Sequence, residues 1–370
     1  MAVSRINEAG LNVNQYGNRN IIINGGMDVC QRSTSETGLG AAETYFVQDR
    51  YKMGLGATSA GRLTATKETT DVPDGFGSAM KLACTTADTS IAAGEFLGIN
   101  QHIEAGACVP TQTGTSSAKQ ITVSFYAKSD STKTYVVQLL NNKHSGYIHN
   151  NRTFTVTSSW QRFTITFQAD TTADSKFDGT LTDAGFSLTW ILHAGSNFTS
   201  ATLASDWATG TTNRAAGADS FFSATSNTFF LTGVQLEVGD TATDFEHRTF
   251  GDELARCQRY YYQHSNTGNA TRLLPGSGIS YDSGFLMLSV QFPVQMRGTP
   301  ALVETTGTNY LRYFHTNASA NFSGFGAVQE QSIIGANVYN SSSISGLTAG
   351  NVGWVRMVDA SYRLAFDAEL

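Results

Sequence analysis

Carboxylates and histidines are the side chains of this sequence that could carry acid–base chemistry. Cleavage of a glycosidic bond requires two carboxylates about 5 to 10 Å apart, and Asp28, Asp49, Glu104 or Glu237 could supply one of them. A glycine-lysine phosphate loop, a G-x-S-x-G elbow and an H-E-x-x-H zinc motif are all missing from the sequence. The histidines stand singly, at His102, His144, His149, His193, His247, His264 and His315. These residues predict a protein without catalytic activity.

The cysteines give no sign of a metal site. Cys30, Cys84, Cys108 and Cys257 have no C-x-x-C spacing, and no histidine lies beside them at the spacing of zinc ligands. We therefore expect free thiols that behave as small apolar side chains.

Composition and charge exclude several classes of partner. The chain has 370 residues, of which 40% are hydrophobic and 15% are charged, with a net charge of −6. Lysines and arginines are spread thinly, so a nucleic-acid partner is not expected. No stretch approaches the roughly 18 apolar residues of a membrane span, and no secretory leader is predicted. A length above about 250 to 300 residues predicts at least two domains.

Period-two alternation of apolar residues runs through residues 20–248. Ile121, Val123 and Phe125 point to one side of a predicted strand, and the same pattern recurs over residues 186–192. Turns rich in glycine, serine, threonine and aspartate separate such segments, without intervening helical patterns. The sequence therefore predicts an all-β protein in which residues 20–248 form a jelly-roll β-sandwich.

One segment follows a helical period instead. Over residues 249–264, the apolar positions Phe250, Leu254, Cys257 and Tyr261 fall on one stripe, which predicts a connector helix ending near residue 263. A single helix cannot bury this stripe alone. The stripe can pack on the domains of its own chain or on another subunit, and we assign Phe250, Leu254 and Tyr261 to a contact between subunits.

The two ends of the chain differ in character. Residues 1–19 have no apolar periodicity, so they are predicted to be an arm that attaches to another protein. Residues 265–370 return to alternating strands between glycine- and serine-rich turns, which predicts a second, smaller β domain.

Several segments together resemble the tail-fibre and tail-associated virion proteins of tailed phages. The resemblance covers residues 20–370, and its strongest element is the GVQLEVG, FEHR and CQRYY run. It implies a structural virion protein located in the tail and made in the cytoplasm of the infected host. The segments that carry it are NIIINGGMDVCQR, QDRY, ITVSFYAKS, SWQRF, LTGVQLEVGDTATDFEHR, FGDELARCQRYYY, FPVQMRGTP and FDAEL.

The phage resemblance also implies partners. The protein is expected to be a homo-oligomer, most simply a trimer, that anchors to the particle through residues 1–19 and binds a host surface glycan. Two alternatives stay open at this point: a capsid decoration or head fibre protein, and a depolymerase of host polysaccharide. No nucleic-acid binding and no membrane insertion are expected.

The first domain also resembles jelly-roll carbohydrate-binding modules, whose opening strand carries an N-G-G-Φ-[ED] turn. Asp28 matches the acid of that turn, and such modules often hold one structural calcium near their last strand. Here the last strand reads VQLE, ending at Glu237, where an Asp-Asp pair is commoner. The resemblance thus implies a calcium position at Asp28 and Glu237, and no other cofactor.

Sugar binding by such a sandwich would need an exposed aromatic face beside amide or carboxylate groups. By alternation, Trp190 and Phe163 belong to the core. Tyr126 shares a face with small polar residues, Gln138 supplies an amide, and Trp207 lies in a loop. Tyr126, Gln138 and Trp207 are therefore the predicted ligand-binding residues.

Overall fold

Alternating apolar residues form antiparallel strands over the first two thirds of the chain, as the sequence predicts. A first compact unit ends at Phe250, and a second runs from Gly251 to Glu369. Most of the predicted N-terminal arm lies outside the described residues. Among the residues that the structure describes, no helix is long and apolar enough to cross a membrane. The computed structural model describes residues 18–57, 59–265, 273–316 and 318–370.

The first unit is built almost entirely from strands. Its short helices are α1 (Ala105–Cys108) and α2 (Ser196–Thr199). Single 3₁₀ turns lie at Val109–Thr111, Ala173–Ser175 and Phe221–Ser223. The strands are β1 (Ser35–Leu39), β2 (Thr44–Tyr45), β3 (Lys52–Leu55), β4 (Arg62–Glu68), β5 (Ala79–Thr86), β6 (Phe96–Glu104), β7 (Ile121–Ser129), β8 (Lys133–Asn141), β9 (His149–Val156), β10 (Gln161–Phe167), β11 (Ala184–Ala194) and β12 (Thr228–Val238).

These strands form two sheets that face each other across one core. One sheet has the order β1-β4-β5-β12-β7-β10, and the other has the order β2-β3-β6-β11-β8-β9. Phe125 of the first sheet and Trp190 of the second meet edge to face, with ring centroids 5.5 Å apart. Both side chains are fully buried. The unit is a jelly-roll β-sandwich, which confirms the predicted fold class.

The first described residues lie along β12, the last strand of the sandwich. The backbone N–H of Ile21 donates to Leu236 O at 2.9 Å, and that of Val234 donates to Gly25 O at 3.0 Å. Any side chain at position 25 would collide with Val234 O, because a Cβ atom on Gly25 would lie 2.1 Å from that oxygen. The glycine of the opening N-G-G turn is therefore required by this close approach.

The second unit consists of one helix followed by strands in two sheets, of orders β13-β22-β16 and β18-β17-β21-β14-β15-β20-β19. Its core joins the two sheets, with Leu288, Tyr313, Val355 and Phe366 fully buried. The elements are α3 (Phe250–Gln258), β13 (Tyr261–Gln263), β14 (Leu273–Ser280), β15 (Leu286–Gln291), β16 (Ala301–Thr305), β17 (Leu311–His315), β18 (Ala318–Phe322), β19 (Phe325–Gln329), β20 (Gly335–Asn340), β21 (Val352–Met357) and β22 (Arg363–Asp367).

The predicted connector helix is real but shorter than expected. It ends at Gln258, and Tyr261 begins strand β13, which pairs with Asp367 of β22. Consecutive tyrosines favour a strand, and the partner strand lies about a hundred residues further along the chain. Tyr261 is consequently buried, whereas Phe250 at the start of the helix is 60% exposed. The two residues therefore do not share one helical stripe.

The cysteines are free, as predicted. Cys84, Cys108 and Cys257 are buried, and Cys30 is half-buried. Burial raises the pKa of Cys30 and of Cys108 to about 12, so that both remain thiols at neutral pH.

Candidate functional site

A cleft of about 420 Å³ lies on the outer face of the second sheet of the first unit. Strand alternation explains its floor: the residues that line it alternate with core residues such as Ile99, Leu139 and Leu188. The floor residues are Gly54 of β3, Asn100 and His102 of β6, Gln138 and Leu140 of β8, and Ser187 and Thr189 of β11.

Loops at the ends of these strands form the walls. Asn142, Gly146 and Tyr147 come from the β8–β9 connection, and Phe198 comes from α2. Gly146 has a φ of +126° and Gly210 has a φ of +112°, so both turns use the backbone conformation that favours glycine. The remaining wall residues are Glu43, Leu55, Gly56, Phe96, His149, Thr211 and Arg214.

A chain of hydrogen bonds orders one end of the floor. Gln138 Nε2 donates to Asn151 Oδ1 at 2.6 Å, and Arg214 Nη2 donates to Gln138 Oε1 at 2.7 Å. His149 bonds Gly210 O through Nε2 at 2.9 Å, so Nδ1 is the acceptor for Asn151 Nδ2 at 2.9 Å. Burial lowers the pKa of His149, which keeps the ring neutral at pH 7. The amide of Gln138 is thus held in one orientation.

A second polar group lies at the other end of the floor. Asn142 Nδ2 donates to Ser187 Oγ at 2.8 Å, and Ser187 Oγ lies 2.6 Å from His102 Nδ1. Burial, followed by the nearby charges of Lys52 and Arg50, lowers the pKa of His102 to about 4. The ring is therefore neutral at pH 7 and shares one hydrogen bond with the hydroxyl of Ser187.

Asn100 and Glu43 provide acceptors. The Oδ1 atom of Asn100 is buried and accepts no hydrogen bond from the described residues. Burial favours the neutral form of Glu43, but its hydrogen bonds from Lys52 and from Leu55 N outweigh this and lower its pKa. Lys52 Nζ lies 3.0 Å from the carboxylate, so the charge of Glu43 is balanced.

Aromatic rings border the cleft. The rings of Phe96 and Phe198 pack with centroids 5.1 Å apart, and the ring of Tyr147 is 62% exposed. Phe96 and Phe198 belong to a small apolar cluster with Val136 and Ile191 on the outside of the sheet. The cleft thus combines apolar ring surface with amides, hydroxyls and two neutral imidazoles, a combination suited to a polar, ring-shaped ligand.

The structure separates the three residues that the sequence predicts for ligand binding. Gln138 lies in the floor of the cleft. Tyr126 lies on the first sheet, where its ring packs 5.3 Å from that of Phe76. Trp207 lies beside the core ring of Phe186, at 6.2 Å, and its Nε1 donates to a backbone carbonyl at 2.7 Å. Neither aromatic side chain lines the cleft.

Asp28 and Glu237 have separate hydrogen-bonding partners. Asp28 Oδ1 accepts from Ser78 Oγ at 2.8 Å, whereas Glu237 accepts from Thr243 N at 3.1 Å and lies 3.4 Å from Arg19 Nε. Among the described residues, no group of three or more His, Cys, Asp and Glu side chains could hold a metal ion. Calcium at Asp28 and Glu237 stays a prediction.

The second unit has its own surface recess, of about 540 Å³. Trp354 of β21 stacks on Phe314 of β17 with centroids 4.3 Å apart and an interplanar angle of 11°, and it is 43% exposed. His315 and Ser319 line the same recess. Elsewhere in this unit, burial raises the pKa of Glu304 to about 7, although hydrogen bonds from Tyr362 and the backbone oppose the shift.

Comparisons with known proteins were made for the sequence and for the fold. No family model matches the sequence, and no curated protein matches it. A solved CBM4 structure is 16% identical and covers 58% of this chain and 97% of its own, with a TM-score of 0.30. A family 11 carbohydrate-binding module from Clostridium thermocellum, in complex with a mixed-linked tetrasaccharide, is 15% identical and covers 58% and 99%, with a TM-score of 0.28.

A phage protein is also among the similar structures. The enzymatically active domain of bacteriophage CBA120 tailspike protein 4 is 11% identical, and the match covers 60% of this chain and 21% of the tailspike, with a TM-score of 0.31. Identities and TM-scores at these levels are too low to assign a ligand to this chain.

Most of the residues that line the cleft carry no signal in the local sequence. Three segments that only the sheet order brings together supply Asn100, Arg214, and the pair Asn142 and Tyr147. Each is an ordinary polar or aromatic residue of a strand or loop, without a local motif. The only usable signal was alternation, which places Gln138 and Asn100 on the side of their strands opposite the core.

Proposed function

We propose that this protein binds a glycan of the host surface in the cleft of its first unit, without catalysis. The observation that carries the proposal is the composition of the cleft: an exposed tyrosine ring and two phenylalanine rings beside fixed amide and hydroxyl groups. Pyranose rings present CH faces that pack on aromatic rings and hydroxyls that pair with amides and imidazoles.

We further propose that it does so as a structural protein of a phage virion, a tail fibre or tail-attached adhesin. This rests on the sequence segments that resemble such proteins, with residues 1–19 as the anchor. One such cleft would give weak affinity, and several copies on one particle would compensate through avidity. A homotrimer would be the simplest arrangement of that kind.

The test of glycan binding uses the full chain on an array of host surface polysaccharides, followed by calorimetry. Tyr147→Ala removes an exposed ring without touching the core, so binding is expected to weaken at least about tenfold, roughly 1.4 kcal/mol, with folding unchanged. Tyr281→Ala, at a tyrosine of the second unit that is 68% exposed, is the matched control. Equal losses in both variants, or release of reducing ends from the bound polysaccharide, would contradict the proposal.

The test of the virion role is deletion of residues 2–17, which spares Asn18 and Arg19 because both bond the sandwich. The truncated chain is expected to fold and bind glycan but to be absent from particles. Normal incorporation would contradict anchoring through the N-terminus.

A further inference from the structure

Arg214 carries a positive charge in the cleft without a carboxylate to balance it. Within the described residues, its guanidinium makes one hydrogen bond, from Nη2 to the neutral amide of Gln138, and its Nε is buried without a partner. Among the described residues, no carboxylate oxygen lies within 4.0 Å of it. Arginine has five N–H donors, so most of its capacity is unused.

Two other shielded arginines of the same unit are paired with carboxylates. Arg32 lies 3.7 Å from Asp49, and Arg248 lies 3.3 Å from Glu246. A charge removed from water costs several kcal/mol unless an opposite charge or a set of hydrogen bonds compensates it. Arg214 has neither, and it lines the cleft, where a ligand could supply the missing partner.

Two phenylalanine rings flank the guanidinium. Its central carbon lies 5.3 Å from the centroid of Phe96 and 5.9 Å from that of Phe198. Aromatic rings at this distance stabilise a cation weakly, but they do not replace a planar acceptor for its N–H groups. Burial lowers the pKa of Arg214, yet an arginine stays charged in this setting.

The other ionisable groups of the cleft do not offset this charge. Glu43 is paired with Lys52 at 3.0 Å. His102 and His149 are neutral at pH 7, because burial lowers the pKa of both. The cleft therefore presents one uncompensated positive charge together with hydrogen-bonding groups for sugar hydroxyls.

We infer that the ligand of this cleft is an acidic saccharide, whose carboxylate pairs side by side with the guanidinium of Arg214. The inference rests on the proposed function and narrows it from glycans in general to those containing uronic or other carboxylated sugars. A carboxylate matches the fork of arginine donors in shape and charge, which a neutral hydroxyl does not.

The experiment compares a panel of oligouronides with the same oligosaccharides after their carboxyl groups are reduced to neutral alcohols. The full-length protein is expected to bind an acidic form at least tenfold more tightly than its reduced form, with affinity falling as salt is added. Arg214→Gln is expected to bind both forms equally and weakly. Arg214→Lys keeps the charge but loses the fork, so an intermediate affinity is expected.

Other outcomes separate this inference from the proposed function. If the acidic and the reduced forms bind equally well and Tyr147→Ala weakens the binding of both, the inference is overturned. The proposal of glycan binding in the cleft would then still stand. Preference for sulfated over carboxylated sugars would overturn the carboxylate assignment. Absence of binding to any acidic or neutral glycan would overturn both. Circular dichroism of each variant verifies the fold. If Arg214→Gln does not fold, Arg214→Lys takes its place in the comparison of acidic and reduced saccharides.

Discussion

The Nε atom of Arg19 lies 3.4 Å from Oε1 of Glu237, which joins the first described residues to the last strand of the sandwich. Glu237 is almost fully buried, so removing its ionic partner would leave a desolvated charge. We expect Arg19→Ala to lower the free energy of unfolding of the first unit by about 2 kcal/mol, since Arg19 itself is partly exposed. Urea denaturation measures this, and Arg19→Lys should recover part of the loss.

Acid is expected to destabilise the first unit through His102. Its pKa is about 4 in the folded chain and 6.5 in the unfolded chain, so the unfolded chain binds the extra proton between these values. Stability should therefore fall by about 2 to 3 kcal/mol as the pH drops from 7 to 4. Hydrogen exchange of the β6 and β11 amides measures this locally. If stability depends on pH between 4 and 7 in the same way in His102→Asn, another group is responsible for the loss.

The second unit should respond to pH in the opposite direction through Glu304. Its pKa is about 7 in the folded chain and 4.5 in the unfolded chain, so the folded chain holds the extra proton. Stability from this carboxyl is present below pH 4.5 and is lost as the pH rises through 7. Glu304→Gln should stabilise the unit by about 2 to 3 kcal/mol at pH 8, read from exchange of the β16 and β22 amides.

The carboxyl of Glu304 accepts hydrogen bonds from Tyr362 Oη and Phe325 N, both at 2.7 Å, and a glutamine oxygen can accept both. Glu330→Gln, at an exposed residue of the same unit, is the control. A gain in stability that is equal at pH 4 and pH 8 would contradict the role of titration.

The contact between subunits that we assign to the helix is best tested at Phe250. Tyr261 is buried in a strand, so an aspartate there would unfold the second unit whatever its oligomeric state. Phe250→Asp is expected to dissociate the oligomer in light scattering while the circular dichroism stays that of a β protein. Ile334→Asp, at an apolar residue that is 63% exposed, is the control and should remain assembled. A monomeric wild-type protein would refute the contact.

The strands of the sandwich were predictable because alternation is a local signal. Phe125 and Trp190 could both be assigned to the core, since their neighbours at two-residue spacing are apolar and the residues between, apart from Ile191, carry a polar group. The end of the helix was not predictable in this way. Tyr261 falls on the helical stripe by spacing, but its hydrogen bonds to β22 depend on a partner strand far away in the sequence.

The cleft was predictable only at Gln138 and Asn100, which alternation places on the outer face of their strands. Its other groups depend on the order of strands in the second sheet, which places β6, β11 and β8 side by side although β7 lies between β6 and β8 in the sequence. The orientation of Arg214 depends on a loop whose contacts with Phe96 and Phe198 have no counterpart in local sequence.

The position of β12 also has a consequence for the nascent chain. β12 is the last strand of the sandwich to leave the ribosome, yet it lies inside the first sheet between β5 and β7, and it also bonds Ile21 and Asn20. All strands that form the floor of the cleft have been synthesised once the chain reaches Ala194. The first sheet, which packs against them, lacks its inner strand β12 until Val238 has been synthesised. Such distant pairings close slowly. Until then, apolar surface of the half-made sandwich stays open to water, so a pause in translation between these two points would expose the chain to aggregation.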